Sequence, residues 1–504
     1  MSRVKVNIIA NLLGRGIAGV LALVCVPFYL RYLGNEAYGL IGFFSTLQGL
    51  LSLLDMGLSA TVNREMARLS AGSENARDMR NLLRTLEIIY WLIALVCGIG
   101  LMLLAPVIAS RWVNVEQLPM ETVSQAIFLM GLLFALQWPF NLYVGGLAGL
   151  QLQVLQNGIT AGFGIVRNLG VLPILIWVSP TLKAFFLWQA GVSAVQSIVA
   201  GLLLWRYLPT AEGKTHFSMN TLRGVWRFAG GMTGITLTSL VLTQADKIIL
   251  SKVLTLEQFG YYTLAGVAVS ALSIPVSPIF NAVFPSLSQA FAAKDFLRMA
   301  NLYHSASQLL AVLTLPAALM CIAFSRELLL LWTQRVNTAD QVWLLVSILA
   351  IGSTLNALMN MPYALQLASG WTSLSLYINI GSAIVLIPSL LILIPKWGLA
   401  GAAAAWVLVN VASFSINVPL MHRRLLRGEK LRWYLEDIGL PALAAIVPIL
   451  FARMMLKDNA GAVQQVGVIL ASGAVSLACA GLATTRIRAY VFQHLKPVRS
   501  STAD

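Results

Sequence analysis

The sequence predicts an all-α polytopic membrane protein with about 14 transmembrane helices. Of its 504 residues, 58% are hydrophobic and 11% are charged, whereas an ordinary soluble domain has roughly 45–50% apolar and about 25% charged residues. Apolar runs of roughly 20 residues recur along the chain, and each could cross about 30 Å of hydrocarbon as a helix. The longest polar stretches, near 64–84, 206–224 and 421–436, are short loops. No soluble domain is therefore expected.

Hydropathy gives the approximate limits of the individual spans. We interpret the first as an uncleaved span, because its apolar run is too long for a secretory signal and no small-residue cleavage site follows. The fourteen expected spans are 7–30, 37–60, 83–108, 122–148, 156–178, 182–205, 228–251, 258–286, 301–325, 339–366, 371–395, 398–420, 437–456 and 462–483.

Two pairs of similar segments, the sequence echoes, predict that the chain consists of two related halves. Leu33–Gly39 and Leu254–Gly260 share the pattern Leu-x-x-Glu-x-(Tyr/Phe)-Gly, 221 positions apart (254 minus 33), and Asn141–Gly149 resembles Asn360–Ser369 at nearly the same offset. Because six spans return the chain to its starting side, two pseudo-symmetric six-helix lobes would have parallel topology. We predict an N-lobe with spans 1–6, a C-lobe with spans 7–12, and two extra C-terminal helices with a basic tail, over residues 1–210, 211–425 and 426–504.

The net charge of +15 follows from the distribution of lysine and arginine between loops. With the N-terminus inside, 22 of the 34 basic residues fall on the cytoplasmic side, nine on the outer side and three within spans. The positive-inside rule then places both termini in the cytoplasm. Nucleic-acid binding is not expected, because it needs a clustered basic face on a soluble module.

No pattern of catalytic, metal-ligating or nucleotide-binding residues occurs in the sequence. The four cysteines lie inside apolar runs without metal-ligand spacing, and the four histidines are scattered at loops and span ends. There is no nucleophile with an adjacent base and no glycine loop of the kind that binds ATP. We therefore expect neither an enzyme nor a protein with a metal or cofactor.

Three basic residues within spans are the sharpest chemical clue. Arg15 comes ten positions after Lys5, which places it about 15 Å beyond the inner interface. Arg167 lies about eleven residues into span 5, without an acidic residue on its helix, and Lys247 lies in the outer part of span 7. A charge at such depth is costly and marks either a functional cavity or a structural pair with a neighbouring helix. Together these residues would complement a phosphate or carboxylate.

Other polar residues at membrane depth extend this candidate site. Asn11 and Asn141 are expected to bind substrate, since amides suit sugar hydroxyls, although amides also join helices to one another. Asp55, Asp246 and Arg64 are candidates for ion coupling or gating. The structural alternatives are a helix-end carboxylate tied to loop arginines for Asp55, and a simple interfacial anchor for the Asp246-Lys247 pair.

Several of these segments together resemble a known family. Asn11 to Arg15, Pro27, Tyr32–Gly39, Leu54–Leu58 and Asp246–Ser251 are similar to the polysaccharide and O-antigen flippases of the multidrug/oligosaccharidyl-lipid/polysaccharide exporter superfamily. The resemblance implies movement of an undecaprenyl-diphosphate-linked oligosaccharide from the inner to the outer leaflet of a bacterial inner membrane. It also implies a monomer that works beside polysaccharide polymerase machinery. The cationic residues would then bind the diphosphate.

Three other functions are open at this point. Lipid II flippases of the same superfamily also use cavity arginines, and multidrug exporters share its lobe arrangement but typically have twelve spans. A scaffolding protein is disfavoured, because it gives no reason to keep isolated arginines within the membrane. No ATP site is recognisable, so an ion gradient, the membrane potential or downstream consumption of product would supply direction.

Cysteine-accessibility labelling tests the predicted topology. In a cysteine-free background, single cysteines introduced at Asn75 and Gly428 should react only with reagents that enter the cytoplasm, because both positions lie in basic inner loops. Labelling of either position from outside the cell would contradict the orientation.

Overall fold

A computed structural model describes residues 21, 23–70, 76–211, 215–219, 223, 243–456, 461–486 and 488. These residues are almost entirely helical, and the only β-type pairing among them is an isolated bridge between Asn114 and Thr255. Eleven of the described helices are long and apolar enough to cross a membrane. The all-α polytopic membrane fold is confirmed. The count of fourteen stays a prediction, because the first and seventh expected spans lie largely outside the described residues.

The helices divide into two compact units, Met1–Thr263 and Leu264–Asp504. The division falls inside the helix Leu256–Ser270 (α9), and the lobe limits expected at residues 210 and 425 stay a prediction. The described helices that lie wholly within the first unit are α1 (Leu23–Leu33), α2 (Asn35–Leu51), α3 (Leu58–Leu69), α4 (Ala76–Arg111), α5 (Met120–Gln137), α6 (Phe140–Gly149), α7 (Gln153–Pro173) and α8 (Leu182–Tyr207). The core of this unit lies among α3, α4, α6 and α8, where Tyr90, Trp138 and Leu204 are buried.

The second unit is built around one long helix, α11. The described helices of this unit are α10 (Val276–Ala292), α11 (Phe296–Ala323), α12 (Ser325–Thr333), α13 (Val336–Leu358), α14 (Asn360–Ala368), α15 (Thr372–Leu425), α16 (Lys430–Met455) and α17 (Ala462–Ala483). Tyr303 of α11 packs in one core with Met361, Leu365 and Trp433. Because Trp433 lies near the start of α16 and is fully buried, the C-terminal helix pair is joined directly to this core.

Helix α15 contains two of the expected spans, which a glycine separates. Gly398 has φ 54° and ψ −130°, a conformation open mainly to glycine. The Ser382 and Ser413 hydroxyls, on opposite sides of Gly398, lie 2.8 Å apart. In a straight helix, residues so far apart in sequence would be separated by more than about 40 Å. The two arms therefore lie side by side, as the sequence predicts for spans 371–395 and 398–420.

The succession of elements recurs along the chain. Helix α2, a 3₁₀ turn and α3 correspond to α9, a 3₁₀ turn and α10. Helices α6 and α14 are both short, and each is followed by a residue with positive φ, Gln151 and Gly370. Helix α7 begins at Gln153 and α15 at Thr372, 219 positions later (372 minus 153). The second sequence echo therefore marks corresponding helices, α6 and α14.

The two segments of the first sequence echo, Leu33–Gly39 and Leu254–Gly260, are in contact with each other. A Cβ atom added at Gly39 of α2 would lie 2.0 Å from the backbone oxygen of Leu256, and one added at Gly260 of α9 would lie 2.6 Å from that of Asn35. Only residues without a side chain allow two helix backbones to approach so closely. The spacing that the two copies share thus places a glycine of each copy at the crossing of α2 and α9.

The glutamates of the two copies bind one loop. The Glu36 carboxylate accepts hydrogen bonds from the backbone amides of residues 116, 117 and 118 at 2.7, 3.0 and 2.8 Å. Glu257 accepts a weaker hydrogen bond from the Gln117 side chain at 3.4 Å. Glu36 is 5% exposed, so these three amides compensate for the burial of its charge. The motif therefore has a structural role.

A buried polar network that was not predicted from the sequence connects α16 to α11. The His304 Nδ1 is hydrogen-bonded to Asp437 Oδ2, and its Nε2 lies 3.2 Å from Glu429 Oε2. Gln308 Nε2 donates to the other Asp437 oxygen at 2.9 Å. His304 and Asp437 are fully buried. Both ring nitrogens of His304 therefore have a carboxylate partner.

The crossing of α2 and α9 can be tested by adding one methyl group. We expect Gly39→Ala to lower the thermal unfolding midpoint of the purified protein, since the new Cβ overlaps the Leu256 oxygen and such overpacking costs about 1–3 kcal/mol. Gly162→Ala, within α7, is the matched control, because no described atom lies within 4 Å of its added Cβ. A midpoint unchanged in Gly39→Ala would contradict the close crossing.

The His304 network can be tested against an exposed ion pair on the same helix. Asp437→Ala leaves the buried Nδ1 of His304 and the Gln308 amide without their described partner and should cost about 1–3 kcal/mol. Glu436→Ala breaks an exposed pair with Arg432 and should cost about 0–1 kcal/mol. Thermal unfolding of both purified variants measures the difference, and equal midpoints would refute a stabilising role. The His304→Ala/Asp437→Ala double variant should lose less than the sum of the single losses.

Candidate functional site

Arg167 lies on α7 and faces polar side chains of α8. Its guanidinium donates a hydrogen bond to the Gln196 side chain, and Gln189 Nε2 donates to the Arg167 backbone oxygen at 3.5 Å. The Arg167 Nε atom is buried and has no hydrogen-bond partner among the residues that the structure describes. No described ion pair includes Arg167. Among the described residues, its guanidinium is thus bound by one amide and by no carboxylate.

The partners of Arg167 belong to a buried polar stripe on α8. Gln189, Ser193, Gln196 and Ser197 recur at helical spacing, and each is at most 7% exposed. Ser197 donates to the Leu136 backbone oxygen at 2.7 Å, whereas the Ser193 hydroxyl has no partner within the described part of the chain. This stripe was not predicted from the sequence. Its spacing in an otherwise apolar span is the signal that could have identified it.

The residue after Arg167 connects α7 to α1. The Tyr29 hydroxyl donates to the Asn168 side-chain oxygen at 3.4 Å, and the Cys25 thiol lies 3.6 Å from the Asn168 backbone oxygen. The first span, which carries Arg15 and Asn11, therefore packs beside α7 where it is described. Arg15 and Asn11 themselves lie outside the described residues.

Asp55 lies at a break in the second span rather than in a continuous helix. Met56 and Gly57 have positive φ values of 45° and 73°, so α2 ends before them and α3 begins after them. The Asp55 carboxylate accepts hydrogen bonds from the Ser59 hydroxyl at 2.7 Å and from the Tyr90 hydroxyl. These hydroxyls, instead of the loop arginines considered from the sequence, are its described partners. Arg64 is exposed on α3.

Asp246 and Lys247 lie on a helical stretch described from residue 243 onwards. The Tyr262 hydroxyl donates to Asp246 Oδ2 at 2.7 Å, while Asp246 Oδ1 is buried and has no described partner. Lys247 is half-buried. Tyr262 comes from α9, so the carboxylate faces a neighbouring helix.

Asn141 is exposed near the start of α6, and its backbone amide donates to the Trp138 oxygen at 3.2 Å. Nearby Tyr143 donates through its hydroxyl to Glu87 at 2.8 Å. Across the described ranges, no hydrogen bond or ion pair joins Arg167, Asp246, Lys247 or Asn141 to one another. The described residues therefore show polar neighbours around Arg167 and no contact between it and the other predicted residues, and the binding site itself stays a prediction.

Comparison with known proteins identifies the family. The model of a family described as "Polysaccharide biosynthesis protein" matches residues 4–291, more than half of the chain, and the MatE family model matches residues 236–392. The chain is 24% identical over 416 residues to a Shigella flexneri protein named "Putative O-antigen transporter", covering 81% of this chain and 94% of that protein.

Solved structures share the fold at low sequence identity. The lipid II flippase MurJ in an inward closed conformation matches with a TM-score of 0.72 and 12% identity, covering 95% of this chain and 99% of that one. An inward-facing multidrug resistance MATE family transporter of the MOP superfamily matches with a TM-score of 0.67 and 14% identity, covering 81% and 94%. The chain belongs to the polysaccharide biosynthesis protein family and, with it, to the MOP superfamily of transporters and flippases.

Proposed function

We propose that this membrane transporter moves an undecaprenyl-diphosphate-linked oligosaccharide from the inner to the outer leaflet of the bacterial inner membrane. The observation that carries the proposal is the environment of Arg167. This half-buried residue lies in a transmembrane helix, and the described partner of its guanidinium is an amide. A diphosphate would supply the missing negative charge and accept the free Nε–H. The name of the Shigella relative supports an oligosaccharide-bearing substrate.

The solvation of each part of the substrate determines where that part would lie during transport. Charged phosphates and sugar hydroxyls cannot cross hydrocarbon cheaply, so they would occupy a hydrated interior beside the α8 stripe. The polyprenyl tail is apolar and would stay in lipid. Alternating access would then expose the interior first to one side of the membrane and then to the other. Arg15 and Asn11 are proposed to act on the same diphosphate as Arg167, with Lys247 and Asn141 as further contacts.

Two other substrates are possible for this fold. The likeness to MurJ makes lipid II a second candidate, since that substrate also carries a diphosphate. The MatE match and the MATE structures make a drug a third. Arg167 argues against the third, because a cation without a carboxylate partner repels the cationic drugs that such exporters often carry.

Direction must come from a source other than a recognisable ATP site. We propose Asp246 as the better candidate for an ion or proton carrier, because one of its buried oxygens has no described partner. Asp55 is a weaker candidate, since both of its oxygens already accept hydrogen bonds. We propose Arg64, on the helix α3 that follows Asp55, as a gating residue. We further propose that the protein works as a monomer and that it delivers its product to a polysaccharide polymerase.

Substitution of Arg167 tests the anion site. Arg167→Ala should slow leaflet movement of a lipid-diphosphate oligosaccharide in proteoliposomes by about 10- to 100-fold, because hydrogen bonds to charged groups contribute about 1.5–3 kcal/mol. Arg167→Lys should retain part of the rate, since it keeps the charge but loses the planar fork. Arg15→Ala and Arg15→Lys should behave in the same way.

Arg206→Ala is the control, since Arg206 is an exposed arginine at the end of α8 and its loss should leave the rate unchanged. Normal rates in an Arg15→Ala/Arg167→Ala double variant would reject the mechanism. Normal surface-glycan assembly in a deletion strain without a second flippase would reject the function itself. A tenfold preference for lipid II over oligosaccharide substrates would favour the second candidate.

A further inference from the structure

A basic cavity in the second unit lies outside the site described above. It has a volume of about 680 Å³ and opens where α15 ends and α16 begins. Neither its position nor its residues are used by the proposed transport mechanism. It is lined by Pro419, His422, Arg423, Arg427, Gly428, Lys430 and Leu431.

Three cations line this cavity without a described counter-ion. Arg423, Arg427 and Lys430 are exposed, and none of them forms an ion pair with a carboxylate among the described residues. Arg427 Nε donates to the Arg423 backbone oxygen at 3.2 Å, which orients the guanidinium but does not neutralise it. Three like charges around one concavity repel each other and raise the local concentration of anions.

The nearby carboxylates already have partners. Glu436 binds Arg432 Nε at 3.0 Å, and Glu429 lies 3.2 Å from His304 Nε2. Asp437 is hydrogen-bonded to His304 in the protein interior. The described carboxylates of this segment therefore pair with residues other than the three cations of the cavity, which leaves these cations accessible to an anion from outside the protein.

The surroundings of the cavity favour an anion that belongs to the membrane. Leu431 lines the cavity and is 66% exposed, and Leu435, one turn further along α16, is 63% exposed. Arg424 lies 4.3 Å from the Trp371 ring centre, an arrangement typical of a membrane interface. A free phosphate would use the cations but not these leucines, whereas a phospholipid would use both.

We propose that this cavity binds the phosphate head group of an anionic phospholipid, with Arg423, Arg427 and Lys430 around the phosphate and an acyl chain along Leu431 and Leu435. Because α15 and α16 meet here, the lipid would connect the end of the repeated part of the chain to the C-terminal helix pair. The proposal is independent of the transported substrate.

Lipid binding to the purified full-length protein tests the proposal. The affinity for phosphatidylglycerol is measured by native mass spectrometry for the wild type and for an Arg423→Gln/Arg427→Gln/Lys430→Gln variant. Each basic residue near an anionic surface contributes about fivefold, so the variant should bind on the order of 100-fold more weakly. Phosphatidylcholine, which has no net charge, should show little difference between the two proteins.

An Arg206→Gln/Lys294→Gln/Arg298→Gln variant is the matched control. It loses the same charge from exposed positions that do not line the cavity, and it should lose less than about fivefold in affinity. Equal losses in the two triple variants would overturn the site in favour of general charge attraction. Displacement of the lipid by an equal concentration of inorganic pyrophosphate would overturn it in favour of a free phosphate. Thermal unfolding confirms that each variant is folded, and Arg427→Gln alone, expected to lose about fivefold, provides a milder variant.

Discussion

Hydrocarbon offers no water to polar groups, so each buried polar atom in this chain needs a partner within the protein or a ligand. Most described groups meet this constraint internally: Asp437 is bound by His304 and Gln308, and Asp55 by two hydroxyls. Arg167 meets it incompletely, because an amide binds its guanidinium and Nε remains unpaired. The difference separates a group that stabilises the fold from one suited to bind a ligand.

The same constraint explains how α2 and α9 are joined. Their crossing at Gly39 and Gly260 relies on close backbone packing, and van der Waals contacts of this kind can be broken without leaving a charge unpaired. The loop at residues 116–118 is attached unequally, by three short hydrogen bonds to Glu36 and by one long hydrogen bond to Glu257. If α2 and α9 separate during transport, the loop would therefore remain with α2.

The sequence predicted the features that depend on local composition and on repetition. Apolar runs predicted the spans, and the two echoes predicted corresponding elements. It could not predict contacts between residues distant in sequence: His304 and Asp437 look like unrelated loop-end residues until the fold brings them together. The break at Met56 was also missed, because Met56 is not a residue type that usually adopts positive φ. For Arg167 the location inside a long apolar helix was predictable, whereas its partner on α8 was not.

Proteins of this superfamily share a fold, but a shared fold does not imply a shared substrate. The helix arrangement resembles both a lipid II flippase and a multidrug transporter at 12% and 14% identity, so the fold alone cannot select among their substrates. Selection must come from the few side chains whose charge is not already balanced within the protein. A guanidinium without a described carboxylate partner favours an anion and disfavours a cation by the same interaction, reversed in sign. Under the proposed function, Arg167 would therefore select for substrate charge, and neutral groups around it would distinguish the sugars.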